Sequence, residues 1–266
     1  MKISVIKIGG NVIDYPEKLD EFLKIFAKIP GHKILVHGGG IMASRFGESL
    51  GVMPEMVDGR RITDKDTLDV VTMVYAGLIN KNIVAKLQAL QVNAIGMTGA
   101  DGNVIRSIKR PVKEIDFGYV GDIQEINVKL IDHLLAGQLL PVVNAITHDG
   151  GGQLLNTNAD SIASALATSL AVEHQVNLYF CFNKSGVLID EKNENSIIPL
   201  INQDIYRELK REKVIHSGMI PKLDNAFEAL QKGVNYVWIG KAENLQLASK
   251  GKLSGTIIEQ HHYDLY

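Results

Sequence analysis

The sequence predicts an α/β fold with a largely parallel sheet and helices on both of its faces. One observation is the alternation, along the whole chain, of strand-like apolar runs with segments whose apolar residues follow helical spacing. Another is that clusters of glycine directly follow two of the predicted strands, where strand-to-helix turns are expected. At 266 residues the chain is long enough for one large domain or two small lobes around a substantial core.

The elements of the first half are predicted from periodicity, capping residues and turn residues. They are strand 3–8, helix 17–29, strand 33–37, helix 41–51, a hairpin at 56–63, a long helix from Asp64 to about Leu90, strand 93–97, β-hairpins within 99–126, helix 127–138 and strand 139–146. We expect Asp64 to cap the long helix.

The second half continues the same alternation. Its predicted elements are a turn or hairpin at 147–158, helix 160–172, strand 176–182, helix 202–215, helix 221–233, strand 234–240 and a last strand within 254–260 that closes the sheet. The helix at 221–233 has proline at its start and glycine at its end, which is the usual asymmetry. A lobe boundary is placed near residue 172.

Composition and charge limit the possible functions. The net charge of −2 gives no field that would attract nucleic acid or an anionic membrane, so neither is predicted as a partner. No apolar stretch is judged long enough to cross a bilayer, and no signal peptide is expected before the first strand. The single cysteine, Cys181, is predicted to be buried and suits a reducing cytoplasm. His261 and His262 alone are weak evidence for a metal site.

Lys7 is unusual because it lies inside the apolar run ISVIKI, which ends in Gly9 and Gly10. A lysine in a core strand is unfavourable unless its charge has a partner. A second cluster, 38–40, follows the next strand and leads into a helix. Backbone N–H groups at such positions bind phosphate, so two loops with a lysine favour an anion site over plain turns.

Three further groups of polar residues indicate ligand binding. Asn156, Asn158 and Asp160 lie at the start of a helix, and the two amides are expected to point the same way while Asp160 caps the helix. Lys222 lies in the first turn of another helix, where the helix dipole disfavours a cation unless an anion is bound there. Arg61, in GRRITD, could bind a carboxylate in a bidentate manner, although a solvated arginine pair is equally consistent with the sequence.

These groups together suggest phosphoryl transfer, which depends on positioning and on neutralising negative charge. The chain contains neither a P-loop motif nor the protein-kinase motifs, so another kinase fold is required. An alternative from a different class is an NAD(P)-dependent oxidoreductase, because GGGIMA matches a dinucleotide fingerprint and Asp58 follows about twenty residues later. That alternative leaves Lys7 unexplained.

The motifs KIGG, VHGGG, GRRITD, LLNTNAD and SGMIPK occur in an order and at a spacing that resemble the amino acid kinase family, over residues 1 to about 260. The resemblance implies an open αβα sandwich with a mainly parallel central sheet and β-hairpin insertions. It implies one domain, 1–266, in which an N-lobe (about 1–172) binds an acyl amino acid and a C-lobe (about 173–260) binds ATP. The implied reaction, in arginine biosynthesis, is ATP-dependent phosphorylation of the γ-carboxylate of N-acetyl-L-glutamate.

The resemblance also implies a role for individual residues. The catalytic set is Lys7, Lys222, Asp160, Gly10 and Gly39. The substrate-binding set is Gly39, Gly40, Arg61, Asn156 and Asn158. The nucleotide-binding set is Lys7, Gly9, Gly10, Asn183, Gly186, Val187, Leu188, His216, Met219 and Lys222. Mg²⁺ would arrive with the ATP, and no resident metal is expected.

Some aspects depart from the family pattern or stay open. The segment 183–186 reads Asn-Lys-Ser-Gly, where the family often has Asp-Val-x-Gly, so the contacts to the nucleotide there stay open. The chain lacks the extra N-terminal helix of arginine-inhibited hexameric relatives, so a homodimer without that inhibition is expected. N-succinyl-L-glutamate, or the acceptor of another family member, is an alternative substrate.

Overall fold

The structure is a computed structural model that describes residues 1–57, 60–190, 192–215, 219–252 and 254–260. Strands and helices alternate along these residues, as the apolar periodicity predicts. The strands are β1 (Lys2–Ile8), β2 (His32–His37), β3 (Glu55–Val57), β4 (Arg60–Ile62), β5 (Ala94–Met97), β6 (Ile105–Lys109), β7 (Gly121–Ile126), β8 (Leu140–Val143), β9 (Ile146–His148), β10 (Leu154–Asn156), β11 (Gln175–Phe182), β12 (Leu200–Ile201), β13 (Tyr236–Lys241) and β14 (Thr256–Ile258).

The α-helices connect these strands. They are α1 (Gly10–Ile13), α2 (Pro16–Ala27), α3 (Gly40–Ser49), α4 (Lys65–Thr72), α5 (Asn80–Ala89), α6 (Val128–Ala136), α7 (Ala159–Leu170), α8 (Gln203–Arg211), α9 (Ile220–Gln231) and α10 (Leu245–Ser249). Short 3₁₀ turns occupy Asp101–Asn103 and Ala242–Asn244, and a π-helical segment, Met73–Ile79, joins α4 to α5.

Eight strands form the central sheet, in the order β12-β14-β13-β11-β1-β2-β8-β5. All neighbouring pairs are parallel except β13 with β14. The prediction of a mainly parallel sheet is therefore confirmed. The prediction that 254–260 forms the edge is wrong, because the two-residue strand β12 pairs outside β14. A sequence of two residues between loops carries no periodicity from which a strand could be predicted.

Strand order reverses around β1, since β2 pairs on one side of it and β11 on the other. In open α/β sheets, ligands bind outside the carboxyl ends of the strands at such a reversal. The β1 end leads to Gly9 and the β2 end to Gly38, while β11 ends at Phe182. The fold thus brings both glycine loops to the edge of the sheet where a ligand is expected.

Two smaller β-structures extend over this edge. One is a four-stranded sheet in the order β10-β9-β6-β7, and the other is the β3–β4 hairpin. Both confirm the hairpins predicted at 56–63, 99–126 and 147–158. The Thr63 carbonyl accepts a hydrogen bond from the Tyr119 N–H at 2.7 Å, and the Tyr119 carbonyl accepts one from the Asn156 N–H at 2.9 Å. These bonds join the hairpin and the small sheet into one wall.

The long helix predicted from Asp64 is confirmed, and the Asp64 side chain accepts a hydrogen bond from the Thr67 N–H at 2.8 Å. By length and composition, its 25 residues from Lys65 to Ala89 could cross a membrane, which corrects the expectation that no stretch is apolar enough. One such helix is weak evidence for a membrane span. Its inner side chains Leu68, Ile83 and Leu87 are buried in the core, as in an amphipathic core helix.

Candidate active site

A cavity of about 370 Å³ lies at the sheet edge where β1 and β2 end. Nine residues predicted for the site line it: Lys7, Gly9, Gly10, Gly39, Gly40, Arg61, Asn156, Asn158 and Asp160. They come from β1, β2, β4, β10 and α7 or the turns beside them. Residues far apart in sequence meet here because all these elements end at one edge.

Lys7 has its partner in Asp160. The Nζ atom of Lys7 lies 2.7 Å from Oδ1 of Asp160, and the Lys7 side chain is 12% exposed. Asp160 is the second residue of α7, where the helix dipole stabilises a carboxylate. The expectation that Asp160 caps the helix is wrong, because Asn158 is the cap and accepts a hydrogen bond from the Ser161 N–H. This leaves the Asp160 carboxylate available to the lysine.

Lys222 lies near the same pair, at the third position of α9. Its Nζ is 3.8 Å from the ring centroid of Phe182, and the Nζ of Lys7 is 5.7 Å from that centroid. Burial lowers the pKa of Lys222; the Asp160 carboxylate opposes this shift and the charge of Lys7 adds to it. Two lysines that share one carboxylate leave a net positive charge, which suits a bound anion. Phe182, which the sequence analysis did not single out, gives both lysines an aromatic face.

At another part of the cavity, Arg61 is held by the glycine loop. Its Nη2 atom donates to the Gly40 carbonyl and to Ser44 Oγ, both at 2.9 Å. Arginine has five N–H donors, so this arrangement fixes one nitrogen and leaves the rest of the fork to bind a carboxylate. Ser44 lies one helical turn after Gly40 and donates to its carbonyl at 3.0 Å, which orders the loop further.

The two asparagines of NTNAD have different partners, contrary to the expectation that both amides converge. Asn156 is buried, and its Nδ2 donates to Thr63 Oγ1 at 3.0 Å. Asn158 is exposed and caps α7. The alternation of side chains along a strand predicted that Asn156 and Asn158 point the same way. However, β10 ends at Asn156, and the chain then turns into α7. Asn156 therefore joins the wall of the cavity to the start of α4, which Thr63 precedes.

Glycine is favoured at position 39 mainly by its backbone conformation, and also by a close neighbour. Its φ of 146° lies in a region that other residues rarely adopt. A Cβ atom on Gly39 would lie 2.1 Å from Cδ1 of Ile79, which belongs to the π-helical segment. The π-helical segment therefore packs directly against the second glycine loop, 38–40. Short π-helical segments inside α-helices are frequent at functional sites.

A buried pair, His37 and Asn80, supports that loop and was missed by the sequence analysis. The His37 Nδ1–H donates to the Gly38 carbonyl at 2.9 Å, and Asn80 Nδ2 donates to His37 Nε2 at 3.0 Å. Burial lowers the pKa of His37 to about 4, so the ring is neutral at pH 7. Asn80 Nδ2 also lies 2.9 Å from the Val142 carbonyl. The sequence signal that could have found this pair is Asn80, a polar residue in the middle of a long apolar helix, because a buried amide needs hydrogen-bond partners.

The residues predicted to bind the nucleotide are only partly near this cavity. Asn183 lines a separate cavity of about 240 Å³ with Phe182 and Lys241. Val187 and Leu188 are buried, and the Val187 N–H donates to Thr256 Oγ1 at 2.8 Å. A Cβ atom on Gly186 would lie 2.7 Å from the same hydroxyl. Gly186 and Val187 therefore pack against β14, whereas Leu188 forms a β-bridge with Ile197.

Two further predicted nucleotide contacts lie before α9. Met219 occupies the N-cap position of α9, and its carbonyl accepts a hydrogen bond from the Leu223 N–H at 3.0 Å. His216 lies outside the described residues, as does Asp58 of the dinucleotide alternative.

Comparison with known proteins assigns the class. Residues 2–241 match the amino acid kinase family, and the chain belongs to that family. It is 54% identical to the acetylglutamate kinase of Cytophaga hutchinsonii, over 96% of this chain and 97% of that protein. It is 49% identical to the acetylglutamate kinase of Phocaeicola vulgatus, over 97% of this chain and 99% of that protein.

Among solved structures, an N-acetylglutamate synthase from Neisseria gonorrhoeae superimposes with a TM-score of 0.81 at 20% identity, covering 98% of this chain and 60% of that one. At that identity the likeness shows the fold alone. The prediction of the amino acid kinase family and of its α/β fold is confirmed. The oxidoreductase alternative is wrong, because GGGIMA forms the loop after β2 and the first turn of α3 in an amino acid kinase domain.

Proposed function

We propose that the protein transfers the γ-phosphoryl group of ATP to the γ-carboxylate of N-acetyl-L-glutamate, in arginine biosynthesis. The observation that carries the proposal is the cluster of Lys7, Asp160 and Lys222. Lys7 and Asp160 of this cluster line the same cavity as Arg61 and both glycine loops. The acetylglutamate kinases at 54% and 49% identity support the same reaction. The products would be ADP and N-acetyl-L-glutamyl 5-phosphate.

In this proposal the cavity holds the acyl amino acid between two charged ends. Arg61 binds the α-carboxylate with the N–H groups that Gly40 and Ser44 leave unused. Asn156 and Asn158 contribute amide groups from the wall of the cavity. The γ-carboxylate then extends towards the Lys7 end, where it meets the phosphate.

The chemistry needs alignment and charge neutralisation. A γ-carboxylate with a pKa of about 4.3 is already ionised at neutral pH, so no general base is required. One of its oxygens forms the new O–P bond while the bond from the γ-phosphorus to the bridging oxygen of ADP breaks. Lys7, Lys222 and the backbone N–H groups of Gly10 and Gly39 stabilise the negative charge on the transferring group. Asp160 acts as an organiser that holds Lys7 in place.

The nucleotide is proposed to bind in the C-lobe, beyond the carboxyl end of β11. Gly9, Asn183, Gly186, Val187, Leu188, His216 and Met219 remain the proposed contacts. Mg²⁺, carried by ATP, would neutralise the phosphate oxygens. The boundary between an N-lobe (about 1–172) and a C-lobe (about 173–260) is proposed to fall between α7 and β11, which end and begin at Leu170 and Gln175.

N-succinyl-L-glutamate is a second candidate substrate, and one specific observation favours it. Arg60 and Arg110 line the same cavity as Arg61. Arg110 is paired with Asp122 at 2.6 Å, whereas no ion pair of Arg60 occurs within the described residues. A succinyl group carries a second carboxylate that such a guanidinium could bind.

A cytoplasmic homodimer is the proposed state of the molecule. Helix α3 and the turn after it expose large apolar side chains, with Phe46 45%, Leu50 60% and Met53 72% accessible. A second copy of this chain would cover them.

The test is ATP-dependent acyl phosphate formation, trapped with hydroxylamine, on N-acetyl-L-glutamate, N-succinyl-L-glutamate and L-glutamate in parallel. Activity on one acylated substrate would support the reaction and identify the acyl group. Folded protein that is inactive on all three would overturn the proposal.

A further inference from the structure

Tyr75 lies in the wall of the cavity but has no role in the mechanism above. It belongs to the π-helical segment and is 5% exposed. Its ring atoms Cδ1 and Cε1 lie 3.4 and 3.5 Å from the position of a Cβ on Gly39. Its hydroxyl lies 3.9 Å from the position of a Cβ on Gly40, the same distance as Arg61 Nη2. The phenol and the guanidinium therefore flank the same backbone position.

The hydrogen-bond roles around this hydroxyl follow from its neighbours. Burial raises the pKa of Tyr75, and the charge and hydrogen bond of Arg61 oppose that shift, so the phenol is protonated at neutral pH. A guanidinium only donates, so the hydroxyl is the acceptor in its interaction with Arg61. The O–H proton then has no acceptor among the described residues, and Asp14, the other charged group near the ring, forms no hydrogen bond with it.

Tyr75 lines the cavity, and a hydroxyl there with a free donor beside a carboxylate-binding arginine lacks only an anionic acceptor. We propose that Tyr75 is a substrate-binding residue whose hydroxyl donates a hydrogen bond to the α-carboxylate held by Arg61. This inference rests on the proposed function, since it assumes an acyl amino acid in the cavity. The π-helical segment positions this contact because it presents both Tyr75 and Ile79 to the glycine loop.

The test compares the wild-type enzyme with Tyr75→Phe, which removes only the hydroxyl. We expect the KM for the N-acyl-L-glutamate to rise about tenfold, because a hydrogen bond to a charged group is lost. The kcat and the KM for ATP should stay within about twofold, since the contact is equally present in the ground state and the transition state. Tyr236→Phe is the matched control, because it removes a partly buried hydroxyl that pairs with Tyr179 away from the cavity, and its KM values should equal those of the wild type.

A substrate analogue locates the contact on the α-carboxylate. The corresponding 4-acylaminobutanoate lacks that group, so its inhibition constant should be the same for wild type and Tyr75→Phe. Equal weakening of both ligands, or an unchanged KM for the acyl-glutamate, would overturn the inference. If Tyr75→Phe lowers the melting temperature, Tyr75→Leu provides a second variant without the hydroxyl. Its KM for the N-acyl-L-glutamate should be raised as much as that of Tyr75→Phe. Wild-type protein that fails to phosphorylate any acyl-glutamate would overturn the proposed function itself, and this inference with it.

Discussion

Lys222 is a residue whose position is unfavourable without a ligand. It lies in the first turn of α9, where the helix dipole disfavours a cation, and burial lowers its pKa. A phosphoryl group in the transition state would remove both costs. We therefore predict that Lys222→Ala lowers kcat by about 10²–10³-fold, with only a modest change in the KM for ATP. Initial rates at saturating substrates measure this.

Lys232→Ala is the control for that variant, because Lys232 directly follows the same helix but is exposed and forms an ion pair with Glu228. Its kcat should equal that of the wild type. Unchanged turnover in Lys222→Ala would remove Lys222 from the mechanism.

Arg61 is predicted to act through its geometry as well as its charge. One of its nitrogens is held by Gly40 and Ser44, so the rest of the planar fork is oriented for a carboxylate. An ammonium cannot reproduce two parallel hydrogen bonds. Arg61→Lys should therefore raise the KM for the acyl-glutamate by about 10- to 100-fold. Arg106→Lys, which alters an exposed pair with Glu125, should leave this KM unchanged. An unchanged KM in Arg61→Lys would mean that the carboxylate is held elsewhere.

Among the elements, the π-helical segment and the loop 38–40 depend on each other. Gly39→Ala places a Cβ against Ile79 and forces a side chain into a positive φ, so we expect most activity to be lost. Gly251→Ala is a matched control, because Gly251 also has a positive φ, of 72°, but no neighbour within 4 Å of a Cβ. It should lose about 1–2 kcal/mol of stability and keep its activity. Equal activity of the two variants would show that the contact with Ile79 does not matter.

The end of strand β2 is also predicted to respond to pH through His37. Its pKa is about 4 in the folded protein, against 6.5 for an unperturbed histidine, so the unfolded chain binds a proton first as the pH falls. Stability is therefore full above about pH 6.5 and decreases towards pH 4. The expected loss is about 2 kcal/mol between pH 7.5 and pH 5, measured by urea unfolding. In His37→Gln this dependence should be smaller by that amount; an equal dependence would assign it to other groups.

For the whole molecule, the order of elements and the meeting of Lys7 with both glycine loops at one sheet edge were predictable from sequence. Alternating periodicity predicted the parallel sheet, and the misplaced charge of Lys7 predicted a partner. That partner is Asp160, which the local pattern assigned to capping and the family resemblance assigned to the catalytic set. The error arose because Asn158 and Asp160 are both good capping residues, and only the exact start of α7 distinguishes them.

Other features depend on tertiary contacts that no local pattern encodes. Tyr75 and Ile79 meet the glycine loop through a π-helical segment whose sequence, MVYAGLI, resembles any apolar helix. His37 and Asn80 are 43 residues apart and are joined only by packing. The small edge strand β12 likewise takes its conformation from β14. Such contacts arise from the assembled fold, so they could not be read from periodicity or capping.

The exposed apolar surface on α3 and the turn after it is expected to join two copies of the chain. Leu50 and Met53, 60% and 72% exposed, lie with Phe46 on α3 and its following turn, and burying such side chains contributes about 1.5–3 kcal/mol each. Light scattering should therefore give twice the 29.2 kDa mass of the chain. Leu50→Asp should shift the mass towards the monomer, because a buried unpaired carboxylate opposes association. Val172→Asp, at an apolar residue that is 80% exposed outside this surface, should stay dimeric. A monomeric wild type would contradict the proposed dimer, and a dimer that persists in Leu50→Asp would place the interface elsewhere.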